Sequence, residues 1–277
     1  MGGHFLWPLF LTKFDIGNWC NNLTYNNMVG IEILADQTKR ILIIGSAPDA
    51  TVARTWDSIP FDRIVAINNA WRIRPDWDDL IFPYDFPDAS KPTDMRQDQS
   101  WITQDDFVPV QNDFGGFVYA GATMAFTAAY WVLGHYRPKQ ICFLGCNMWY
   151  PKGKTTHFYG AGTADPLRDD ITLMSLEAKS SRLYAMAQAA GCAMTNLSAG
   201  PTRLVCPQQD FRAPVPQPFE VDQTAMAAAL EREAELGYYV PSGRYWLEAD
   251  RFDVSAIQAL DQMWLSTVRQ EAVAAAE

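Results

Sequence analysis

The sequence predicts an α/β fold in which a mostly parallel sheet is flanked by helices. Three short and mainly apolar runs, at 41–44, 64–67 and 140–145, have the length and composition of strands that are buried on both faces of a sheet. A helix predicted at about 48–56 separates the first two runs. Strand, helix and strand then form a βαβ unit whose two strands are parallel neighbours.

Composition indicates a folded chain with a sizeable core. Hydrophobic residues make up 48% and aromatic residues 13% of the 277 positions, which argues against disorder over most of the chain. The formal net charge of −10 argues against general nucleic-acid binding, because that function needs a dense Lys/Arg surface. The ten Trp and eleven Tyr suit carbohydrate stacking, although they equally suit an aromatic-rich core.

Nothing in the sequence predicts export or membrane insertion. No stretch reaches the roughly 20 apolar residues of a membrane span. The apolar stretch at 5–11 lacks the basic region and cleavage site of a signal peptide. The five cysteines are odd in number and irregularly spaced, which favours reduced and buried thiols. We therefore expect a cytoplasmic protein, either free or peripheral at the inner membrane, and a homo-oligomer is left open.

The predicted organisation has three parts: an N-terminal arm at 1–39, a domain at 40–206, and a linker with a helical C-terminal appendage at 207–277. Lid insertions are expected near 83–115 and 146–170, the part at 83–107 being a loop or small insertion. The other elements predicted for these parts are short strands at 80–82 and 193–197, and helices at 124–133 (ended by Gly134), 171–190, 221–236 and 255–275.

Polar loops follow three of the predicted strands, at 45–49, 68–71 and 145–168. The carboxyl ends of parallel strands share one edge of the sheet, where open α/β folds bind their ligands. Asn68 and Asn69 can donate and accept hydrogen bonds there without a charge that repels an anion, although asparagine is also common in turns. The three loops together predict a Rossmann-like nucleotide site.

His157 is the candidate general base among the three histidines. It lies in the polar stretch after a strand end, close in sequence to lysines and tyrosines. A neutral histidine there could take a proton from an acceptor hydroxyl, while Lys154 and Arg168 could offset the charge of a departing phosphate. The alternative is a surface loop that happens to be basic.

The order of these motifs resembles the bacterial sialyltransferases of glycosyltransferase family 42 and the phage and bacterial proteins related to them. The resemblance covers about 40–206 and is carried by the motifs at 43–48, 66–70, 119–123, 143–145 and 156–160. It implies a Rossmann-like, GT-A-variant fold with a small lid. The activity implied is metal-independent, inverting transfer of a sialic acid-like sugar from a CMP-sugar donor to a hydroxyl of a glycan acceptor, without a cofactor.

Site residues follow from this resemblance by position. It implies His157 as the base, with Tyr150 and Tyr159 holding the departing phosphate. The residues implied to bind the nucleotide lie on the strand-end loops and before the helix at 124: Gly45, Ser46, Ala47, Pro48, Asn68, Asn69, Gly121, Thr123, Gly145 and Asn147.

The chain departs from the family at three places. The family's first loop reads Gly-Asn-Gly-Pro-Ser, whereas Ser46 and Ala47 replace its Asn and second Gly here. Asn147 stands near the position of a family aspartate, and an arginine expected before Gly121 is absent. These departures bear on the identity of the donor more than on the fold.

Two other functions fit the same sequence. Asp165, Asp169 and Asp170 could bind Mg²⁺ with a diphosphate, as in the archaeal pterin pyrophosphokinase-like proteins, which share this sheet. The same aspartates also suit ordinary helix N-caps. Alternatively, a non-catalytic phage or cell-surface assembly protein could keep this fold and use its aromatic N-terminus and C-terminal helices for contacts.

Overall fold

The core of the fold is a six-stranded sheet in which every strand is parallel to its neighbours. The computed structural model describes residues 39–150, 155–160 and 168–269, so the arm predicted at 1–39 lies outside the described residues except for Lys39. The predicted α/β, Rossmann-like sheet is confirmed. Its strands are β1 (Arg40–Ile44), β2 (Arg63–Ile67), β3 (Asp79–Ile81), β4 (Ser100–Ile102), β5 (Gln140–Leu144) and β6 (Ala193–Asn196), in the spatial order β4-β3-β2-β1-β5-β6.

Helices flank this sheet. The α-helices of the described residues are α1 (Gln104–Asp113), α2 (Phe117–Ala120), α3 (Met124–Tyr136), α4 (Leu176–Ala189), α5 (Gln223–Leu236) and α6 (Val254–Leu265). Short 3₁₀ helices lie at Pro48–Thr55, Asn68–Arg72, Asp88–Ser90, Ile171–Leu173 and Tyr245–Arg251. A small antiparallel ribbon of β7 (Glu220–Val221) and β8 (Val268–Arg269) joins the start of α5 to the end of α6.

The two faces of the sheet are covered by different elements. Leu42 and Ile44 of β1 belong to an apolar cluster that also includes Ala50 of the 3₁₀ helix after β1. Because alternate residues of a strand point to opposite faces, Ile41 and Ile43 point to the other face. There α3, which contributes no residue to that cluster, contacts β1, β2 and β5. Double coverage explains why β1 is apolar at four successive positions.

Several predicted helix boundaries are wrong. Gly134 does not end α3, which continues to Tyr136. A Cβ atom on Gly134 would lie 2.5 Å from Cγ1 of Val110, so glycine there allows α1 to approach α3 closely. The helix predicted at 171–190 divides into a 3₁₀ turn and α4. The helix predicted at 255–275 ends at Leu265, because the chain turns there to pair β8 with β7.

The stretch at 83–107 was predicted as a loop or small insertion, and it contains regular structure instead. Strand β4 extends the sheet beyond β3, with Leu80 opposite Trp101. Helix α1 begins at a capping box in which Thr103 and Asp106 bond each other's backbone N–H groups. Part of the predicted lid insertion at 83–115 therefore belongs to the sheet and to its helical layer.

The predicted C-terminal helical appendage is present as α5 and α6, and buried ion pairs join it to α4. Arg182 of α4 is fully buried, and its Nε and Nη2 groups donate to the Glu233 carboxylate of α5 at 2.7 and 2.8 Å. The Trp264 indole of α6 donates to the same carboxylate at 2.8 Å, and Lys179 donates to Asp261 at 3.0 Å. Burial would lower the pKa of Arg182, but Glu233 and Tyr130 together outweigh burial and raise that pKa, so the guanidinium stays charged.

Four of the five cysteines are described, and all four are buried, as the sequence predicts; Cys20 lies outside the described residues. Burial raises the pKa of the Cys192 thiol to about 12. Such thiols are protonated at neutral pH and pack as small apolar groups.

Candidate functional site

Strands β1 and β5 lie side by side where the strand order of the sheet reverses. From β1 the chain adds β2, β3 and β4 on one side, and it then crosses to add β5 and β6 on the other. Such a reversal is called a topological switch point, and open α/β sheets bind ligands there, outside the carboxyl ends of the strands. The backbones of the two loops that leave these ends are bonded together. Gly45 N–H donates to the Leu144 carbonyl at 2.8 Å, and Ala47 N–H donates to the Gly145 carbonyl at 3.0 Å.

Two glycines allow these loops to touch. A Cβ atom on Gly45 would lie 2.3 Å from the Gly145 carbonyl oxygen and 2.8 Å from Sγ of Cys146. Gly145 has a φ of 70°, and a Cβ atom there would lie 2.5 Å from Cβ of Ala50. Close backbone approach therefore accounts for both glycines. Their contact with a nucleotide stays a prediction.

We expect Gly45→Ala to lower the free energy of unfolding by about 1–3 kcal/mol, because the added methyl group overpacks the contact with Gly145. Urea denaturation of the variant beside wild type measures this loss. Ser46→Ala is the matched control, because it changes the next residue of the same loop without adding a Cβ atom. A Gly45→Ala protein as stable as the Ser46→Ala protein would show that the two loops do not pack closely.

Four side-chain oxygens on the strand-end loops are buried and have no hydrogen-bond partner in the part of the chain that the structure describes. They are Oδ1 of Asp49, Asn68, Asn69 and Asn147, which follow β1, β2 and β5. Leaving a buried polar atom unpaired costs about 1–3 kcal/mol, and proteins seldom do so. As assigned, all four atoms accept hydrogen bonds, so this set suits a ligand that carries several O–H or N–H groups.

Asp49 and Asn147 join the two loops at the switch point. Asn147 Nδ2 donates to Asp49 Oδ2 at 3.1 Å, and Asn147 is only 8% exposed. Asn68 has a φ of 51°, a left-handed conformation that asparagine tolerates better than most other residues. Asp49 is absent from the predicted site residues. It belongs to the predicted loop at 45–49 and was interpreted individually as a helix start after Pro48, and no local signal pointed to its partner.

The loop of His157 lies against the loop that follows β1. Phe158 N–H donates to the Ser46 carbonyl at 2.9 Å. The loop also closes on itself, because His157 N–H donates to the Gly160 carbonyl at 3.2 Å and Gly160 N–H donates to the His157 carbonyl at 3.0 Å. This contact brings His157 beside the switch point, as expected for converging strand-end loops.

The three residues predicted as catalytic lie together. His157 is 8% exposed, and its ring stacks on that of Tyr159 with centroids 5.0 Å apart. The Tyr150 ring lies 6.2 Å from the His157 ring, centroid to centroid. Nδ1 of His157 is 2.9 Å from Oγ1 of Thr156, a hydrogen bond that orients the imidazole and that the sequence did not predict. Tyr159 is 43% exposed, so its ring is accessible from solvent.

Gly121 and Thr123 have structural bonds and contacts. Thr123 Oγ1 accepts from Phe126 N–H at 3.2 Å and so caps α3. The same hydroxyl lies 3.6 Å from Sδ of Met148, which follows Asn147 in the site. A Cβ atom on Gly121 would lie 2.9 Å from the Phe126 ring. These contacts account for both residues, and their binding of a nucleotide stays a prediction.

Arg168 bonds to residues outside the strand-end loops. Its Nε donates to Asp170 at 2.9 Å and its Nη2 donates to the Tyr245 hydroxyl at 3.0 Å. Burial raises the pKa of Asp170, but hydrogen bonds, the first of them from Tyr245, outweigh burial and hold that pKa below its usual range. The predicted support of a phosphate by Arg168 therefore stays a prediction. Lys154, its predicted companion, lies outside the described residues.

The acidic residues proposed for magnesium binding are only partly described. Asp170 accepts from Thr172 N–H at 2.8 Å and caps the 3₁₀ helix that begins at Ile171, as its N-cap interpretation predicts. Asp165 lies outside the described residues. Among the described His, Cys, Asp and Glu side chains, no group of three or more could hold a metal ion.

Comparisons of the chain with protein-family models, with curated proteins and with solved structures gave no match. No helix within the described ranges is long and apolar enough to cross a membrane. The fold and the geometry together define an α/β protein with a candidate ligand site at the switch point of its sheet.

Proposed function

We propose that the chain is a glycosyltransferase that moves a sugar from a nucleotide donor, with a CMP-sugar favoured, to a hydroxyl group of a glycan. One observation supports this most. The loop that carries His157 is bonded to the loop after β1, and the strand-end loops hold four buried oxygens with no hydrogen-bond partner among the described residues. A potential base thus adjoins a set of hydrogen-bond acceptors at the edge where α/β sheets bind nucleotides.

The acceptors match the donor groups of a nucleoside. Ribose offers two hydroxyl groups, and cytosine, adenine and guanine each offer an exocyclic amine. The Asp49 carboxylate favours this neutral part of a nucleotide over its phosphate, because a nearby negative charge would repel a phosphate. In such sheets an acidic residue commonly binds a ribose hydroxyl. We therefore assign the nucleoside to Asp49, Asn68, Asn69 and Asn147.

His157 acts as the general base in this proposal. In the tautomer whose Nδ1–H donates to Thr156 Oγ1, Nε2 carries the lone pair that can accept a proton. The acceptor hydroxyl oxygen forms a bond to the anomeric carbon while the bond from that carbon to the phosphate oxygen breaks. The proton passes to Nε2, and the nucleotide monophosphate leaves with the electron pair. A single displacement of this kind inverts the anomeric configuration.

The two tyrosines are proposed to hold the departing phosphate. Their rings flank His157, and a phenolic hydroxyl can donate to a phosphate oxygen as charge develops there. This arrangement needs no metal ion, which separates it from the magnesium-dependent alternative. We expect turnover to survive a chelator, whereas a pyrophosphokinase-like enzyme would lose activity.

Calorimetry with cytidine, uridine and guanosine monophosphates tests the proposal. We expect wild type to bind at least one of them, and we expect Asn147→Asp to weaken binding about tenfold, because it adds a negative charge beside Asp49. Asn112→Asp is the matched control. Asn112 also has a buried Oδ1 without a partner in the described ranges, but it lies at the end of α1, and its Nδ2 donates to the Pro241 carbonyl. A wild type that binds none of the three nucleotides would contradict the proposal and favour the non-catalytic alternative.

A further inference from the structure

A cavity lies at the amino ends of the strands, whereas the candidate site lies at their carboxyl ends. Its volume is about 480 Å³, and it adjoins the amino ends of β5 and β6 and the end of α4. This volume is in the range of small-molecule sites. The roof is formed by the proline-rich segment 213–218, called the strap below, which the sequence predicted only as part of a linker.

Bonds at both ends hold the strap in place. Gln209 Nε2 donates to the Ala213 carbonyl at 2.9 Å, at the start of the strap. Phe219 N–H donates to the Tyr184 hydroxyl at 2.8 Å, just beyond its end. Between these points Pro214, Pro216 and Pro218 restrict the backbone. The cavity is therefore formed before any ligand binds, which lowers the entropic cost of binding.

Two charged residues of the described chain line the cavity, and both are cationic. Arg40 and Lys139 line it, and no Asp or Glu of the described chain does, although the sequence has 32 acidic residues and a net charge of −10. The Asp62 carboxylate accepts from the backbone N–H of Arg40 at 2.7 Å but does not line the cavity. A positive cavity in an acidic chain indicates an anionic ligand.

Most of the donors on these two cations are available. Arg40 uses Nε to donate to Gln140 at 2.8 Å, and its Nη groups have no oxygen acceptor within the described residues. Its other neighbours are the Cys142 thiol and the Phe61 ring, whose centroid is 5.3 Å from Cζ. Lys139 Nζ likewise has no partner there. Arg40 of β1 pairs with Gln140 of β5, and Lys139 directly precedes Gln140, so the two cations lie close to each other where β1 and β5 begin.

The rest of the cavity lining is mainly apolar. Met194 of β6 and Val215 and Pro216 of the strap line it, together with Tyr184 of α4. Prolines and an aromatic ring offer flat, rigid surfaces for an apolar or aromatic group. The cavity thus combines two neighbouring cations with a larger apolar lining.

We propose that this cavity binds a small organic anion, either a carboxylate or a phosphate monoester, whose apolar part is about the size of a phenyl ring. Its head group accepts hydrogen bonds from Arg40 and Lys139, and its body packs under the strap against Met194 and Val215. The cavity lies at the amino ends of the strands and the candidate nucleotide site at their carboxyl ends. This proposal is therefore independent of the proposed transferase activity.

Four probes that share a phenyl body test the role of charge: benzoate, phenyl phosphate, benzyl alcohol and benzylamine. Ligand-observed NMR gives each dissociation constant with wild type. We expect at least one of the two anions to bind about tenfold more tightly than benzyl alcohol, and benzylamine to bind more weakly still. We also expect the better anion to shift the methyl resonance of Met194. If benzyl alcohol binds as tightly as both anions, or if no probe binds, the proposal is overturned.

Charge reversal locates the head group. Lys139→Glu is expected to weaken binding of the better anion about tenfold, whereas Lys139→Arg is expected to leave it within about twofold. Arg244→Glu is the control, because it changes net charge equally at an exposed arginine that does not line the cavity. Equal dissociation constants for Lys139→Glu and Arg244→Glu would overturn the proposal. The folded state of each variant is checked by its near-UV circular dichroism.

Discussion

His157→Ala is expected to lower sugar transfer by about 10²–10⁴-fold, the usual contribution of a general base. In the proposed reaction the acceptor hydroxyl loses its proton as it attacks, and no other described side chain at the switch point has been assigned that role. The measurement is kcat and KM with the nucleotide sugar whose nucleotide binds most tightly in calorimetry. We expect kcat to fall while the dissociation constant for that nucleotide stays within about twofold.

A structural role for His157 would give a different result. Its ring is buried against Tyr159, so the alanine variant also loses packing. Added imidazole separates the two roles, because it can supply a base to a folded but inactive site and cannot restore a lost fold. We expect imidazole to recover part of the activity of His157→Ala. An alanine variant with wild-type kcat would remove His157 from the mechanism.

The orienting bond from Thr156 provides a further control for the same role. Thr156→Val keeps the shape of the side chain but removes the hydroxyl that lies 2.9 Å from Nδ1 of His157. We expect a smaller fall in kcat than for His157→Ala, and Thr156→Ser is expected to restore activity. A valine variant indistinguishable from wild type would show that this bond does not position the base.

Arg182→Met is expected to lower the free energy of unfolding by about 3–5 kcal/mol, because it leaves the Glu233 carboxylate buried without its ionic partner. Arg182 bonds to Glu233 through two nitrogens and also donates to the Phe114 carbonyl at 2.6 Å. Urea denaturation measures the loss. We expect a single transition in wild type, since the ion pair joins α4 to α5 within one core.

An exposed ion pair on α5, the helix that carries Glu233, is the matched control. Arg232 donates to Glu235 at 2.8 Å, and the two side chains are 40% and 58% exposed. Arg232→Met is expected to change stability by less than about 1 kcal/mol, because water screens exposed charges. Equal losses for Arg182→Met and Arg232→Met would show that the C-terminal helices are not held by the buried pair.

The strands of the sheet were predictable where both faces are covered. β1 is apolar at 41–44, and these four residues are buried, so composition alone identifies the strand. β4 carries no such signal. It is three residues long, it lies at the edge of the sheet, and Ser100 and Trp101 are exposed. A short edge strand depends on its neighbour for its structure, which local sequence does not record.

The buried ion pairs could not be predicted from the sequence. Lys179 and Arg182 have the composition of an exposed helix face, and their partners Asp261 and Glu233 are 82 and 51 residues away. Only the packing of α5 and α6 on α4 brings these charges together. This is also why the C-terminal helices were expected as an appendage.

The candidate site was predictable as a set of loops and not as a set of bonds. Strand ends in a parallel sheet share an edge, so the loops after β1, β2 and β5 could be grouped before any coordinates were known. The bond between Asp49 and Asn147 spans 98 residues, and the contact of Phe158 with Ser46 depends on the fold of the His157 loop. No local pattern encodes either contact.

Hydrogen–deuterium exchange with saturating cytidine monophosphate tests most directly whether the carboxyl ends of β1, β2 and β5 form one nucleotide site. We expect slower exchange together at 45–49, 68–71, 145–149 and 156–160, with no change at 213–218 under the same conditions. Asn147→Asp is expected to lose this protection at the same nucleotide concentration. Protection that is absent from these loops, or that occurs only at the strap, would contradict the assignment of the nucleotide to the switch point.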